Sequence, residues 1–248
     1  MTEAQRIGRQ TENESNEGVL QAGTPLVLKV ERATYGPDSI AHTQEGKTVF
    51  VQGAVPGDTV EASVYQDGPS FSRAKVTRVL EPSPDRVDSP CPFADVCGGC
   101  PWAHVSYEAQ LRAKRGNVVD SLARIGHLDR DRAESLVAEC VAPGEPWGYR
   151  NKVELAFQRV RGRAVVGMHD ASGTGVVKVD RCLLLQTRFQ KLVNATSGAL
   201  SYLSNSHALQ IDRVGIRASK RTGNVEVALW TAPGPFPRAQ AAKILGDA

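Results

Sequence analysis

The residues best equipped for chemistry are Cys91, Cys97 and Cys100, in the stretch CPFADVCGGC, with a fourth thiol far downstream at Cys182 in VVKVDRCLLL. Three thiols this close in sequence can wrap one inorganic object. Gly98 and Gly99 lie between two of them and let the backbone approach so that amide N–H groups face a sulfur. Thiolates are soft ligands that select zinc, copper(I) or iron–sulfur clusters. Structural zinc commonly uses paired C-x2-C units. Here one C-x2-C, one C-x5-C and a lone distant cysteine favour a [4Fe–4S] cubane, whose fourth ligand can be remote. Zinc and buried free thiols are the alternatives. His104 is a candidate to bond a thiolate or complete a zinc site. Cys140 has no ligand-like neighbours and is expected to be a small buried hydrophobe. Trp102, beside the cysteines, suits shielding of the centre, with stacking on a nucleobase as a second role.

The rest of the chain must position these groups. Its 248 residues allow one large or two modest domains. An apolar fraction of 41% is sufficient for a core. The formal charge of +3 is too mild to mark a nucleic-acid binder. Arg outnumbers Lys, and guanidinium forks suit phosphates and base edges, but a G+C-rich genome gives the same bias. Five cysteines, three of them crowded, without a secretory apolar run argue against a disulfide scaffold and for a reducing, cytoplasmic setting. No apolar run approaches the length of a membrane span.

Residues 1–23 are polar and aperiodic and are expected to form a disordered tail. Residues 24–82 hold four or five short β-like runs broken by Gly36-Pro37-Asp38, Pro56-Gly57-Asp58 and Asp67-Gly68-Pro69. They predict a small all-β barrel, because closure removes exposed edges. Lys29, Arg32, Arg73, Lys75 and Arg78 are candidates for an oligonucleotide-binding face, or for ordinary solvated strand positions. Residues 83–104 combine a proline-stiffened linker with the cysteine cluster. Residues 105–232 read as an α+β domain with an antiparallel sheet. Its first helix is capped by Ser106, stopped by Gly126 and striped by Leu111, Val118, Leu122 and Ile125. A weaker helix covers 130–140. Three strands follow, NKVELAFQRV, RAVVGMHD and GVVKVDRC, with turns at Arg161-Gly162-Arg163 and Ala171-Ser172-Gly173. A helix from about Leu183 to Tyr202 precedes two further strands, VGIRASKR and NVEVALW. Residues 233–248 read as the start of a truncated helix or a linker.

Together, Cys91-Pro92 through Cys97-Gly98-Gly99-Cys100, then His104, then Gln110-Leu111-Arg112 and Lys114 resemble the iron–sulfur RNA (uracil-5-)-methyltransferases. Gly148-Tyr149-Arg150-Asn151-Lys152-Val153-Glu154 is similar to that family's central-domain signature, and Val179-Asp180-Arg181-Cys182 to its fourth-ligand segment. The run from Phe50 to Val60 resembles the family's TRAM domain, an OB-like RNA-binding barrel. The resemblance implies methyl transfer from S-adenosylmethionine to C5 of a uridine in 23S rRNA or tRNA. In that chemistry a cysteine thiolate adds to C6 of a flipped base, C5 attacks the methyl, and a base removes the C5 proton. It also implies a structural cluster on Cys91, Cys97, Cys100 and Cys182. RNA contacts are expected at Arg150, Asn151 and Lys152, with Arg73 and Lys75 on the barrel and His169 as a further candidate.

The family's catalytic half is a C-terminal Rossmann-like domain with a glycine-rich loop, an Asp-Pro-Pro segment, a nucleophilic cysteine and a late glutamate. None of these is found in the sequence. No catalytic or cofactor-binding residue is therefore named, and S-adenosylmethionine is expected to bind the full-length enzyme, not this chain. The expectation is a monomeric, RNA-binding, cluster-bearing front part of such an enzyme, inactive alone. The alternative is a standalone TRAM-domain RNA-binding iron–sulfur or zinc protein.

Overall fold

The computed structural model describes residues 20–161 and 163–248. Most of the expected tail, and Gly162 in the expected turn after the first long strand of the α+β region, lie outside them. The chain divides into two compact units, residues 20–32 with 38–82, and residues 33–37 with 83–248.

The first six strands are β1 (Pro25–Lys29), β2 (Arg32–Ala33), β3 (Asp38–His42), β4 (Thr48–Gln52), β5 (Thr59–Asp67) and β6 (Phe71–Glu81). They pair in the order β1-β5-β6-β4-β3-β2 as a curled half-barrel. The β4–β6 pairing is parallel, and β1–β5, β3–β4 and β5–β6 are antiparallel. Alternation along β5 sends Val60, Ala62 and Val64 inward onto Leu28, Val49, Val51 and Ala74. Three register shifts along β5–β6 supply the bending that curls the sheet. Buried Asp58 is satisfied because its carboxylate accepts the Val55 N–H at 2.7 Å.

The second unit begins with α1 (Tyr107–Arg124) and α2 (Arg130–Leu136). Strands β7 (Lys152–Val160), β8 (Arg163–His169) and β9 (Val176–Val177) follow, then α3 (Leu192–Ser206), β10 (Ile211–Ala218), β11 (Val225–Thr231) and α4 (Arg238–Asp247). The sheet runs β11-β10-β7-β8-β9, antiparallel throughout. Its inner face (Val153, Leu155, Val166, Val214, Ile216) packs with Val193, Leu200 and Leu203 of α3 and Ala241 of α4. Ser197 Oγ donates to the Val166 carbonyl at 3.0 Å, which satisfies a polar group inside that core. The expected fold class, an OB-like β unit followed by an α+β unit with an antiparallel sheet, is the one observed. No parallel Rossmann-like sheet occurs among the described residues. None of their helices is long and apolar enough to cross a membrane.

Several local expectations are corrected. Helix α1 starts at the Ser106 cap, whose hydroxyl accepts the Ala109 N–H, but it buries Ala109 and Val119. Val118 and Ile125, from the expected core stripe, are 50% and 78% exposed. Leu111, Val118 and Leu122 border an open groove rather than a packed neighbour. Helix α1 ends at Arg124, just before Gly126 as expected, and the left-handed residue that follows is His127, with φ 53°. Helix α2 stops at Leu136, where Arg115 donates to the Glu134 and Val137 carbonyls. The expected third strand shrinks to Val176–Val177. The helix expected from Leu183 begins only at Leu192, because residues 182–185 form a hydrogen-bonded turn, Leu185 bridges Arg150, and Thr187–Phe189 make a separate 3-10 turn.

Candidate metal centre

Two long-range alignments build the site. The Cys91–Cys100 loop is tied to the end of β8: Gly98 N–H donates to the His169 carbonyl at 2.9 Å, and Cys97 bridges Asp170. Glycine is required there, since a Cβ on Gly98 would stand 2.4 Å from the Asp170 carbonyl oxygen. Within the loop, Cys97 N–H donates to the Phe93 carbonyl at 2.8 Å and Ala94 N–H to the Cys91 carbonyl at 3.2 Å. The second alignment joins the two downstream signature segments. Gly148 N–H donates to Leu183 O at 2.9 Å and Arg150 N–H to Leu184 O at 2.8 Å. Gln186 N–H returns a bond to Arg150 O at 3.3 Å. Cys182 is thereby brought to the cysteine loop.

The outcome is one cavity of about 360 Å³ lined by Cys91, Cys97, Cys100 and Cys182. Phe93, Met168 and Val179 form its apolar wall, and Arg150 and Lys152 also border it. Gly99 N–H points at Cys97 Sγ, 3.4 Å away. All five cysteines are free thiols. Among the described residues, no three His, Cys, Asp or Glu side chains already converge on a point sized for a single ion. Burial pushes the Cys100 thiol up to about 11, with Cys182, Cys97 and Cys91 acting the same way and the Arg150 guanidinium pulling down. Burial also raises Cys97, while the Gly99 amide opposes it. A cation among these sulfurs would replace their protons and relieve their mutual repulsion.

The other candidates scatter. Arg150 belongs to the wall of the thiol cavity, with its guanidinium 5.8 Å from the Tyr149 ring centre. Asn151 is exposed, and its carbonyl accepts Ala218 N–H at 2.8 Å. Lys152 is paired with Glu154 at 2.7 Å. On the barrel, Arg73 is paired with Asp38 at 2.7 Å, while Lys75, two residues on, is exposed. His104 is half-buried and outside the thiol cavity. His169 is exposed at the end of β8. Cys140 is half-buried and borders the α1 groove, so the fully buried position expected for it is not observed. Sequence reasoning missed Phe50 and Phe71. Their rings meet edge to face at 5.4 Å, and the Arg73 guanidinium lies 5.3 and 5.8 Å from their centres. The signal was available: Phe71, Arg73 and Lys75 alternate along one strand face.

Residues 21–77 match the family model of the TRAM domain. Over 238 residues, 92% of this chain, the sequence is 34% identical to an uncharacterized RNA methyltransferase of Thermosynechococcus vestitus. Over 213 residues, 83% of the chain, it is 33% identical to one of Gloeobacter violaceus. The chain carries a TRAM domain, and most of its length is similar to RNA methyltransferases. It spans about half the length of these curated relatives, 50% and 46% respectively. A 152-residue stretch, 60% of the chain and 34% of the relative, is 37% identical to the 23S rRNA (uracil(1939)-C(5))-methyltransferase of Dechloromonas aromatica. The fold is shared with the crystal structure of Pyrococcus abyssi tRNA (uracil-54, C5)-methyltransferase in complex with S-adenosyl-L-homocysteine. That likeness has a TM-score of 0.57 at 20% identity, over 88% of this chain and 48% of that one.

Proposed function

We propose that this chain is an RNA-binding, cluster-bearing part of an RNA uracil C5-methyltransferase, with a [4Fe–4S] cluster held by Cys91, Cys97, Cys100 and Cys182. One observation carries the cluster assignment: four thiols from two segments far apart in sequence line a single cavity of about 360 Å³. A lone zinc ion would draw four sulfurs to about 2.3 Å from one point. A cavity of this volume has room for a polynuclear core. The donor set is all-thiol, one amide faces a sulfur, and a cationic wall suits an anionic cluster. The bound cluster supplies cross-linking of the second unit. The protein's own contribution is the pinned loop, the Gly99 amide and the Arg150 charge.

RNA binding is supported by the match to the TRAM domain and by the Phe50–Phe71–Arg73 cluster, whose Phe71 is 37% exposed. Arg73, Lys75, Arg150, Asn151 and Lys152 are the proposed contacts, and rRNA or tRNA the proposed substrate. None of the described residues is assigned to S-adenosylmethionine or to methyl transfer.

Anaerobic reconstitution with iron and sulfide tests the metal assignment. The expected result is a brown protein with about four irons per chain. A colourless protein that binds one zinc tightly and takes up no iron would reject the cluster. Cys97→Ala is expected to lose the metal and most of the second unit's stability, because such sites contribute folding free energy directly. Titration with rRNA and tRNA fragments tests the RNA reading.

A further inference from the structure

A second concavity in the same unit, of about 1110 Å³, runs along α1 and is not needed for the cluster. We propose that it is a stacking groove for unpaired RNA nucleotides, an inference that rests on the RNA-binding reading above and adds a place and a mode of recognition.

Its walls carry Tyr35, Trp102, Trp147 and Tyr149. Tyr35 is 93% exposed and Tyr149 57% exposed. An exposed aromatic on a loop is ordinarily free to move, but the loop bearing Tyr35 is tethered. Trp102 Nε1–H donates to the Gly36 carbonyl at 3.1 Å, and Asn117 Nδ2 donates to the Thr34 carbonyl at 3.1 Å. Gly36 N–H donates to Thr34 Oγ1 at 3.1 Å. The backbone on both sides of this bare ring is thus held in place, which lowers the further entropy cost of placing the ring on a base.

The charge pattern narrows the occupant. Lys114 and Arg150 border the groove, and Glu108 and Glu145 offset them. A balanced rim gives little pull on a duplex backbone. Flat π-faces between apolar walls suit splayed bases, which every single strand offers. The groove also shares Gly99, Cys100, Trp147 and Arg150 with the thiol cavity, so one wall depends on the cluster loop being in place.

The test uses the full chain, loaded with iron and sulfide. It is titrated with a short labelled single-stranded oligoribonucleotide and with the same strand annealed to its complement. The single strand should bind more tightly. Tyr35→Ala and Tyr149→Ala should each weaken single-strand affinity about 5- to 100-fold with iron content unchanged. Tyr35→Phe, which keeps the ring, should bind like the parent. If the parent binds single strands and both alanine variants bind them equally well, the groove assignment is overturned while RNA binding stands. If the parent binds no RNA, both fall. Self-association abolished by Tyr35→Ala, with RNA affinity unaltered, would give the groove to a second copy and overturn the proposal.

Discussion

Cys100 sits in an electrostatic environment whose sign has a measurable consequence. In the metal-free chain its thiol is raised from 9.0 to about 11, chiefly by burial. Folding then favours the protonated form. The associated stability is fully present below pH 9.0 and drains away as pH climbs toward about 11. Once a metal holds the thiolate, that proton is gone and the loss should vanish. Urea midpoints across this window should fall for the metal-free protein and stay level for the loaded one. Arg150→Gln removes the cation that draws Cys100 down, so it should reduce iron uptake at limiting iron more than Lys152→Gln does. From sequence Arg150 reads as an RNA contact, and nothing local contradicts that. Its place in the thiol cavity follows from pairing with residues 183–186, a register that no short window of sequence encodes.

At the scale of elements, the cysteine loop depends on one close backbone approach. Gly98→Ala would press a methyl against the Asp170 carbonyl, which belongs to a rigid strand end and cannot swing aside. The expected cost is about 1–3 kcal/mol with reduced metal content, read by thermal melting and iron assay. In the β5–β6 hairpin, Asp67 accepts from Lys47 at 2.7 Å and Ser72 at 2.5 Å, and also from the Leu20 amide. These bonds lower its pKa from 3.8 to about 2. The stability they confer is present above pH 3.8 and is lost as pH falls toward about 2. Asp67→Asn should flatten acid unfolding of the first unit in that window, followed by circular dichroism. The strands were legible because Val60, Ala62 and Val64 alternate with polar neighbours. The face of α1 was not, because Leu111, Val118 and Leu122 repeat like a core stripe yet border solvent. Hydrophobic period reports that a face exists, not what covers it.

At the scale of the whole molecule, the formal charge of +3 is a small excess, and several of the cations are engaged within the chain. Arg78, Arg112, Arg115 and Arg130 are ion-paired within the chain, and Arg213 is shared between Glu154 and the Trp230 ring. With a net charge of only +3, the chain has little excess positive field with which to displace counterions. RNA affinity should therefore fall only gently with salt, with a log–log slope of about −2 to −3, the value for three or four phosphates on a single strand. A much steeper slope would mean that the ion pairs open on binding. The two-part organisation was readable from the proline-rich boundary and the change in texture after it. The assignment of residues 33–37 to the second unit was not, since it depends on Trp102 and Asn117 reaching residues far away in sequence.

The distance along the chain between Cys100 and Cys182 also orders events during synthesis. Three thiols leave the ribosome first, and about 80 residues must follow before the fourth appears. Closing a loop of that length costs a free chain about 4 kcal/mol, a cost that the bonds between residues 148–150 and 183–186 help offset in the folded chain. Until the loop closes, the nascent protein exposes an oxidisable, incomplete site. Under the proposed cluster assignment, cells making this protein under oxygen would need a donor that delivers iron late, after the second sheet is built, or a reductant that keeps the waiting thiols intact.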